Sequence, residues 1–516
     1  MKTLKWVTAL VACILIAAAG WVWLHRFVPP QDGYSTPYVK VPAVADDLSW
    51  TSYGGDPGQT RHSAIRQITT QNVAHLRTAW TYTTGEMARR GAAAKQGKFQ
   101  NTPILAAGHL VVCTPFNRVI ALDPVTGRER WFFDPGVVTG QGVPGEKFNC
   151  RGLAQWRDAK GVEGATCTER LFMATTDRRV IELDARTGAL CEGFGARGQV
   201  HVPLEGTGLR EGELQFASAP AVVGDVIVVG SASGDNGRAF GPAGTVRAFD
   251  ARNGTQRWTF DPIPRLHDPV ASPTWQGNSA SRTGQANVWG SITVDPARDL
   301  VFLPTSSPSP DFYGGLRQGA NLYANSMVAL RGSTGKLVWY FQTVHHDLWD
   351  YDIPAGPSLV GYRKEGVERP ALVFATKTGF LFVLDRETGQ ALTEVQERPV
   401  PASDAPGEWT SPTQPFSVGL PVLAPQRVTE DDAFGMMGWD KVACRNEIRN
   451  AARNEGLFTP PSRGSGTLIV PMTGGGANWG GVAVDPASRW VFVNTNRAIH
   501  NVALIPSEVA ARRRQL

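Results

Sequence analysis

The chain has 516 residues and a formal net charge of +5, slight for its length; with no basic patch interleaved with aromatics, nucleic acid is excluded as a partner. It carries 56 Gly, 36 Pro and 16 Trp but only 19% charged residues, which suits short strands joined by turns and argues against long surface helices. The length admits two or three ordinary domains or one large all-β array.

Residues 6–24 are almost wholly apolar, about the length of one membrane crossing, with Lys2 and Lys5 before them and His25 and Arg26 after. The run is long for the core of a signal peptide, and no small-x-small site follows it. The expectation is an uncleaved transmembrane helix within residues 1–26, anchored in the inner membrane with the body in the periplasm. Residues 27–47 read as a linker and 48–516 as one domain. Six cysteines are present; Cys13 lies in the apolar run, and Cys113, Cys150, Cys167, Cys191 and Cys444 lie in the body. One or two disulfides and a free thiol are expected, with Cys150–Cys167 the first pairing to consider; no spacing suits zinc.

From residue 48 on, the chain repeats. Val119-Ile120-Ala121-Leu122-Asp123 runs into Thr126-Gly127 and Trp131, and Val180 to Asp184 runs into Thr187-Gly188. Val246 to Asp250 runs into Asn253-Gly254 and Trp258, Met327 to Leu330 into Thr334-Gly335 and Trp339, and Leu381 to Asp385 into Thr388-Gly389. Each is a strand, a tight turn with glycine where φ must be positive, and a second strand. The glycines are 61, 66, 81 and 54 residues apart, room for four strands per unit. Further strands read at residues 291–303 and 481–493. Four-stranded units in series predict an all-β propeller, with the tryptophans docking between neighbours. Residues 394–463 show little strand pattern and many prolines, and read as an excursion over one face.

The densest chemistry lies in Thr343-Val344-His345-His346-Asp347-Leu348-Trp349-Asp350, with Lys377 in Thr376-Lys377-Thr378-Gly379. A carboxylate base, an aromatic wall and a buried cation suit proton and hydride chemistry. His345 and His346 read as structural hydrogen-bonders.

The Asp-x-x-Thr-Gly-x-x-x-Trp turn resembles the repeat of the pyrroloquinoline quinone (PQQ) dehydrogenases. Cys113-Thr114-Pro115, Cys150-Arg151-Gly152, residues 343–350, Lys377-Thr378-Gly379, Thr413 to Phe416, Phe458 to Pro461 and Trp479-Gly480-Gly481 follow in that family's order. The set is most similar to the membrane-bound glucose/quinate/shikimate branch. The resemblance implies an eight-bladed quinoprotein propeller, here with about six blades and the last ones missing. It implies a PQQ on the axis with one divalent cation, Ca²⁺ or Mg²⁺. Carried over by position, Asp350 is the base and touches the cation. Asp235 and Ser307 or Ser309 are further metal ligands. Trp289 is the aromatic floor, and Lys377 bonds the quinone oxygens. Arg151 faces the carboxylates, while Gln100, Trp479 and Asn494 line the cofactor. The implied reaction is oxidation of a sugar, polyol or cyclic hydroxy acid, with electrons passed to ubiquinone; no Cys-x-x-Cys-His attaches a haem. A non-catalytic scaffold or an inactive remnant is the competing reading. Lys147 and Phe116 stand where the branch commonly has histidine, so the upper wall of the site differs.

Overall fold

The computed structural model describes residues 50–138, 145, 147–204, 209–234 and 239–513. The chain divides into Met1–Asp46 and Asp47–Leu516. The expected anchor and linker, and Asp235, lie outside the described residues; among those described, no helix is long and apolar enough to cross a membrane.

Six of the antiparallel sheets among the described residues follow one another along the chain as meanders. The first is Ile104–Ala106, His109–Cys113, Val119–Leu122 and Glu129–Phe133. The second is Ala154–Arg157, Glu169–Ala174, Arg179–Asp184 and Gln199–His201. The third is Ala221–Val223, Val226–Val229, Val246–Asp250 and Gln256–Phe260. The fourth is Thr293–Asp295, Leu300–Pro304, Ser326–Arg331 and Leu337–Gln342. The fifth has three strands, Ser358–Lys364, Val367–Ala375 and Leu381–Asp385, and the sixth is the hairpin Val482–Asp485 with Trp490–Val493. The register slips after Ala121, Ala248 and Ala329, the same place in three units, which adds twist just before the turn.

The arrangement is radial, as the repeats predict. The first strands Ala154–Arg157, Ala221–Val223 and Thr293–Asp295 lie side by side, as do Ser358–Lys364 and Val482–Asp485. Each gap between sheets holds its own apolar core. Val111 and Val119 meet Leu171 and Ile181, Phe172 and Val180 meet Ile227 and Phe249, and Val228 and Val246 meet Val301 and Val328. Phe302 and Met327 meet Phe374 and Phe382, and Val373 and Val383 meet Val482 and Val484. A sheet covered on both faces needs apolar residues on both, which is why Val119–Leu122 reads as a continuous run.

The turn glycines join the units. Asp123, Asp184 and Asp385 each accept the backbone N–H and hydroxyl of the Thr three residues on, and Gly127, Gly188 and Gly389 follow at φ 69°, 73° and 73°. A Cβ on Gly127, Gly188, Gly335 or Gly389 would lie 2.4–2.7 Å from the indole of Trp80, Trp131, Trp258 or Trp339, respectively. Trp131, Trp258 and Trp339 come from the preceding unit, and Trp80 from the segment before the first sheet. Gly254 meets Val200 instead, since the second unit has no tryptophan there. Residues 57–61 cross the hub, where Leu359 N–H donates to Gly58, Val294 N–H to Pro57 and Val484 N–H to Thr60, clasping three sheets.

Two expectations are corrected. The disulfides are Cys113–Cys150 and Cys167–Cys191, with Cys444 free; Cys150 lies against the end of the strand that carries Cys113, so the pair expected from proximity in sequence does not form. The stretch read as irregular holds the strand pair Val395–Pro399 with Thr413–Ser417 and the helix Gly438–Asn450. That helix buries only Ile448, and the Asp440 carboxylate caps it by accepting the N–H groups of Met436 and Met437 at 2.9 and 2.8 Å. A helix with so narrow an apolar stripe leaves little periodic signal.

Candidate active site

A cavity of about 330 Å³ opens at the hub between the loops that follow the sheets. Gln100, Arg151, Trp289, Ser307, Asp350, Lys377 and Trp479 all line it, although they span 379 positions of sequence.

The loop after Leu337–Gln342 is built by alternation. Trp349, Tyr351 and Ile353 point into the core, so Asp350 and Asp352 between them face the cavity. The Trp349 indole donates to Thr459 O at 2.8 Å, and Tyr351 Oη donates to Pro471 O. Asp347 organises the turn from below. Its carboxylate accepts the N–H groups of Trp349 and Tyr351 at 3.0 Å, Asn325 Nδ2 at 3.1 Å and the Ser307 hydroxyl. Burial pushes the Asp347 carboxyl above its usual range, against the pull of these donors. Asp350 sits at φ 60°, a left-handed conformation that Asp tolerates.

Lys377 enters from the turn after Val367–Ala375, and its backbone is clamped by a glycine run. Gly476 N–H donates to Lys377 O at 2.7 Å, and a Cβ on Gly475 (φ 82°) would meet Lys377 at 2.5 Å. The ammonium lies 3.1 Å from Asp350 Oδ1, donates to Asp350 O at 2.8 Å and pairs with Asp352. Burial opposes its charge, but Asp350 and Asp352 more than offset that and hold its pKa well above the ordinary value. Asp352 also accepts the indole N–H of Trp289, so one carboxylate fixes both the cation and the ring.

Arg151 supplies the opposite charge wall. It follows Cys150, and its backbone is held on both sides by Thr102 N–H to its carbonyl at 2.9 Å and its own N–H to Ala217 O at 3.0 Å. Its guanidinium lies 5.1 Å from the Trp289 ring and 5.7 Å from the Trp479 ring. It donates to Gln100 Oε1 at 3.2 Å and to Trp289 O at 2.6 Å. Such cation–π contacts contribute on the order of 1 kcal/mol each and keep the planes aligned.

Other expected site residues are placed differently. Ser307 lines the cavity, but its hydroxyl is committed to Asp347 and accepts from Asn325 Nδ2 at 3.1 Å. Ser309 does not line it; its hydroxyl donates to Ala239 O and accepts from Gly284 N–H, both at 3.1 Å. Asn494 is exposed just beyond Trp490–Val493 and is not in the lining. Lys147 is exposed, and Phe116 is buried against Phe148 at 4.9 Å. His345 bonds Gln342 and Glu397 through its two ring nitrogens, and His346 bonds Gly319 O and Glu408, so both are structural as expected.

Sequence reasoning missed Asp352, Asn287, Asp311 and Lys98, which also line the cavity. The alternation in Trp349-Asp350-Tyr351-Asp352-Ile353 carried the signal for Asp352. The cavity thus has three cations, Lys98, Arg151 and Lys377, and three carboxylates, Asp311, Asp350 and Asp352. For a hard cation it offers oxygen donors, including the Asn287 amide, whose Oδ1 accepts from Ser306 at 3.0 Å. Among the described residues, no cluster of three His, Cys, Asp or Glu could hold a metal ion.

Residues 50–516 match the PQQ family described as glucose/ethanol/alcohol dehydrogenase, β-propeller domain. The chain is 36% identical to quinate/shikimate dehydrogenase (quinone) of Acinetobacter baylyi, covering 91% of this chain and 59% of that one. It is 37% identical to the glycerol dehydrogenase large subunit of Gluconobacter oxydans, over 88% and 60%. To quinoprotein glucose dehydrogenase of Escherichia coli it is 34% identical, over 95% and 61%. The chain therefore spans about three-fifths of the length of these curated relatives. Among solved structures, quinohemoprotein alcohol dehydrogenase ADHIIG from Pseudomonas putida HK5 superposes with a TM-score of 0.64 at 25% identity, over 89% of this chain and 58% of that one. A europium-containing methanol dehydrogenase gives 0.62 at 25%, over 88% and 70%.

Proposed function

Because the chain belongs to the PQQ-dependent dehydrogenase family, we infer that its hub cavity binds PQQ and oxidises a polar secondary or hemiacetal alcohol, such as a sugar, polyol or cyclic hydroxy acid. The observation that carries this reading is the convergence of Asp350, Asp352 and Lys377 with Arg151 and two indoles on one cavity. The donor set fits the cofactor. PQQ is a flat tricarboxylate; Arg151, Lys98 and Gln100 suit its carboxylates, and Trp289 and Trp479 suit its plane. The volume lies within the range of small-molecule sites.

When bound, PQQ supplies an electrophilic quinone carbon able to take the hydride from the alcohol carbon. Asp350 takes the hydroxyl proton of the substrate. Of the two carboxylates on Lys377 it is the one substrate can reach, at 20% exposure against 3% for Asp352. Lys377 keeps its proton across the working range and presents fixed positive charge where negative charge develops. Asp352 sets the position of Lys377 and of the Trp289 ring and does not itself meet substrate. A divalent cation would take oxygen ligands from Asp350 and Asn287, with Asp235 supplying a further carboxylate. The apolar residues 6–24 would tether the body to the inner membrane from its periplasmic side, with ubiquinone as acceptor.

The test is dye-linked dehydrogenase activity of the full chain on glucose, glycerol and quinate, before and after adding PQQ with Ca²⁺ or Mg²⁺. PQQ-dependent dye reduction is expected, and Asp350→Asn should lower it by about 10³-fold while PQQ binding stays within threefold. Folded protein that binds no PQQ would end the reading; PQQ binding without turnover on any substrate would favour an inactive relative.

A further inference from the structure

Most polar side chains of the hub cavity are committed to one another. Asp352 holds Lys377 and the Trp289 indole, Gln100 accepts from Arg151, and Ser307 donates to Asp347. Asn478 donates to Gly474 O and accepts from the Trp479 backbone N–H, each at 2.6 Å. His500 differs. It lines the same cavity, it is exposed, and its ring is bonded at one nitrogen only: Nδ1 lies 2.9 Å from the hydroxyl of Thr473, which also lines the cavity. Nε2 has no partner among the described residues.

Local structure explains how His500 comes to face the hub. The strand His500–Val502 pairs antiparallel with Thr467–Ile469, His500 opposite Ile469, and Met472 N–H donates to Ala498 O at 3.0 Å. Ile499 packs away from the hub, against Leu468 and Val470. Successive residues of an extended chain alternate sides, so His500 turns the other way. The pairing uses backbone groups alone and does not require an imidazole at this position. In the neutral ring, Nε2 is a donor if the Thr473 hydroxyl donates to Nδ1, and an acceptor if that hydroxyl accepts. A ligand hydroxyl both donates and accepts, so it satisfies Nε2 in either tautomer; a carboxylate, which only accepts, satisfies one.

We propose that His500 selects polyhydroxy substrates. Its Nε2 bonds a second hydroxyl of the molecule whose first hydroxyl meets Asp350, and Thr473 is the positioning residue that sets the ring. The inference deepens the dehydrogenase reading and rests on it for the role of Asp350. Asp350 and His500 line one cavity of about 330 Å³, so a single small molecule can reach both. A monohydroxy alcohol leaves Nε2 unpaired once it displaces water from the cavity. A site built to hydrogen-bond a substrate hydroxyl rejects the analogue that lacks it. His500 touches neither the proton nor the hydride that moves, so its loss is read in KM more than in kcat.

The test compares His500→Leu, His500→Gln and Thr473→Val with the parent in the full chain loaded with PQQ and Ca²⁺ or Mg²⁺. Substrates come in pairs that differ in their extra hydroxyls: glycerol against 2-propanol, and cis-1,2-cyclohexanediol against cyclohexanol. His500→Leu should raise KM for the polyhydroxy member of a pair at least tenfold while kcat changes far less, and the preference for that member over its partner should fall at least tenfold. His500→Gln, whose amide nitrogen stands in for Nε2, should recover most of that preference, and Thr473→Val should fall between the two. Binding is read apart from turnover in PQQ-loaded Asp350→Asn protein with its histidines ¹³C-labelled at Cε1. Glycerol should shift the imidazole signal that His500→Gln removes. A KM in His500→Leu that rises equally for both members of a pair, or for neither, would overturn the proposal, as would a glycerol titration that leaves the His500 signal in place. If the parent binds no PQQ, the dehydrogenase reading fails by itself, and the same titration of the empty cavity still decides whether His500 takes a hydroxyl.

Discussion

Asp352→Ala is the sharpest probe of the site. The substitution removes one of two carboxylates on a nearly buried ammonium and the acceptor of the Trp289 indole N–H. Breaking a buried ion pair costs about 3–5 kcal/mol; Asp350 still holds Lys377 at 3.1 Å, which puts the loss near the lower end. An orphaned indole N–H adds about 1 kcal/mol. The expected destabilisation is therefore about 4 kcal/mol, read as a shift of the urea midpoint. Asp352→Asn keeps an acceptor for the indole and should cost about half as much. PQQ affinity, followed by fluorescence titration, should fall about tenfold in Asp352→Ala, or 1.4 kcal/mol, because ring and cation lose their common anchor, and by less in Asp352→Asn, which still holds the indole. In a double-mutant cycle, Lys377→Met added to Asp352→Asn should recover part of the loss, since the two charges are coupled. Stability and PQQ affinity within about 0.5 kcal/mol of the parent in Asp352→Ala would refute the assigned role.

Three further outcomes follow from the same geometry. Gly188→Ala should lower stability by at least about 2 kcal/mol in a thermal melt, because its Cβ would lie 2.4 Å from Trp131 at a φ of 73°. Replacing Cys113 and Cys150 together by Ala should cost about 4 kcal/mol for a 37-residue separation and weaken PQQ binding through Arg151, the next residue. His346 is buried, and burial, with Arg317 nearby, holds its pKa below the ordinary value. As pH falls below about 6.5 the unfolded chain gains a proton that folded His346 does not, so stability drops by up to about 1.4 kcal/mol per pH unit. Denaturant curves at pH 7.5 and 5.5 should show this slope, and His346→Asn should flatten it.

The legible parts of the sequence are those with local periodicity. Four of the five repeat glycines, at 127, 188, 335 and 389, meet a tryptophan from the chain before their own unit. The strands read at residues 291–303 and 481–493 are paired hairpins. Asp350, Lys377, Arg151, Trp289, Gln100 and Trp479 were read from order and motif, and they share one cavity. Asp352 was not, because nothing in a dipeptide says which carboxylate a lysine 25 residues away will meet. Ser309 looked like Ser307 in the same run of serines, and only the turn that ties it to Ala239 and Gly284 separates them.

By itself, then, the chain determined its strands, its turn chemistry and the residue types at the hub, since these depend on neighbours a few positions away. Tertiary structure alone decided which cysteines pair and which carboxylate anchors both Lys377 and Trp289. Those depend on contacts across tens to hundreds of residues, and such contacts are set by how the sheets close around their shared cores rather than by any pattern along the chain.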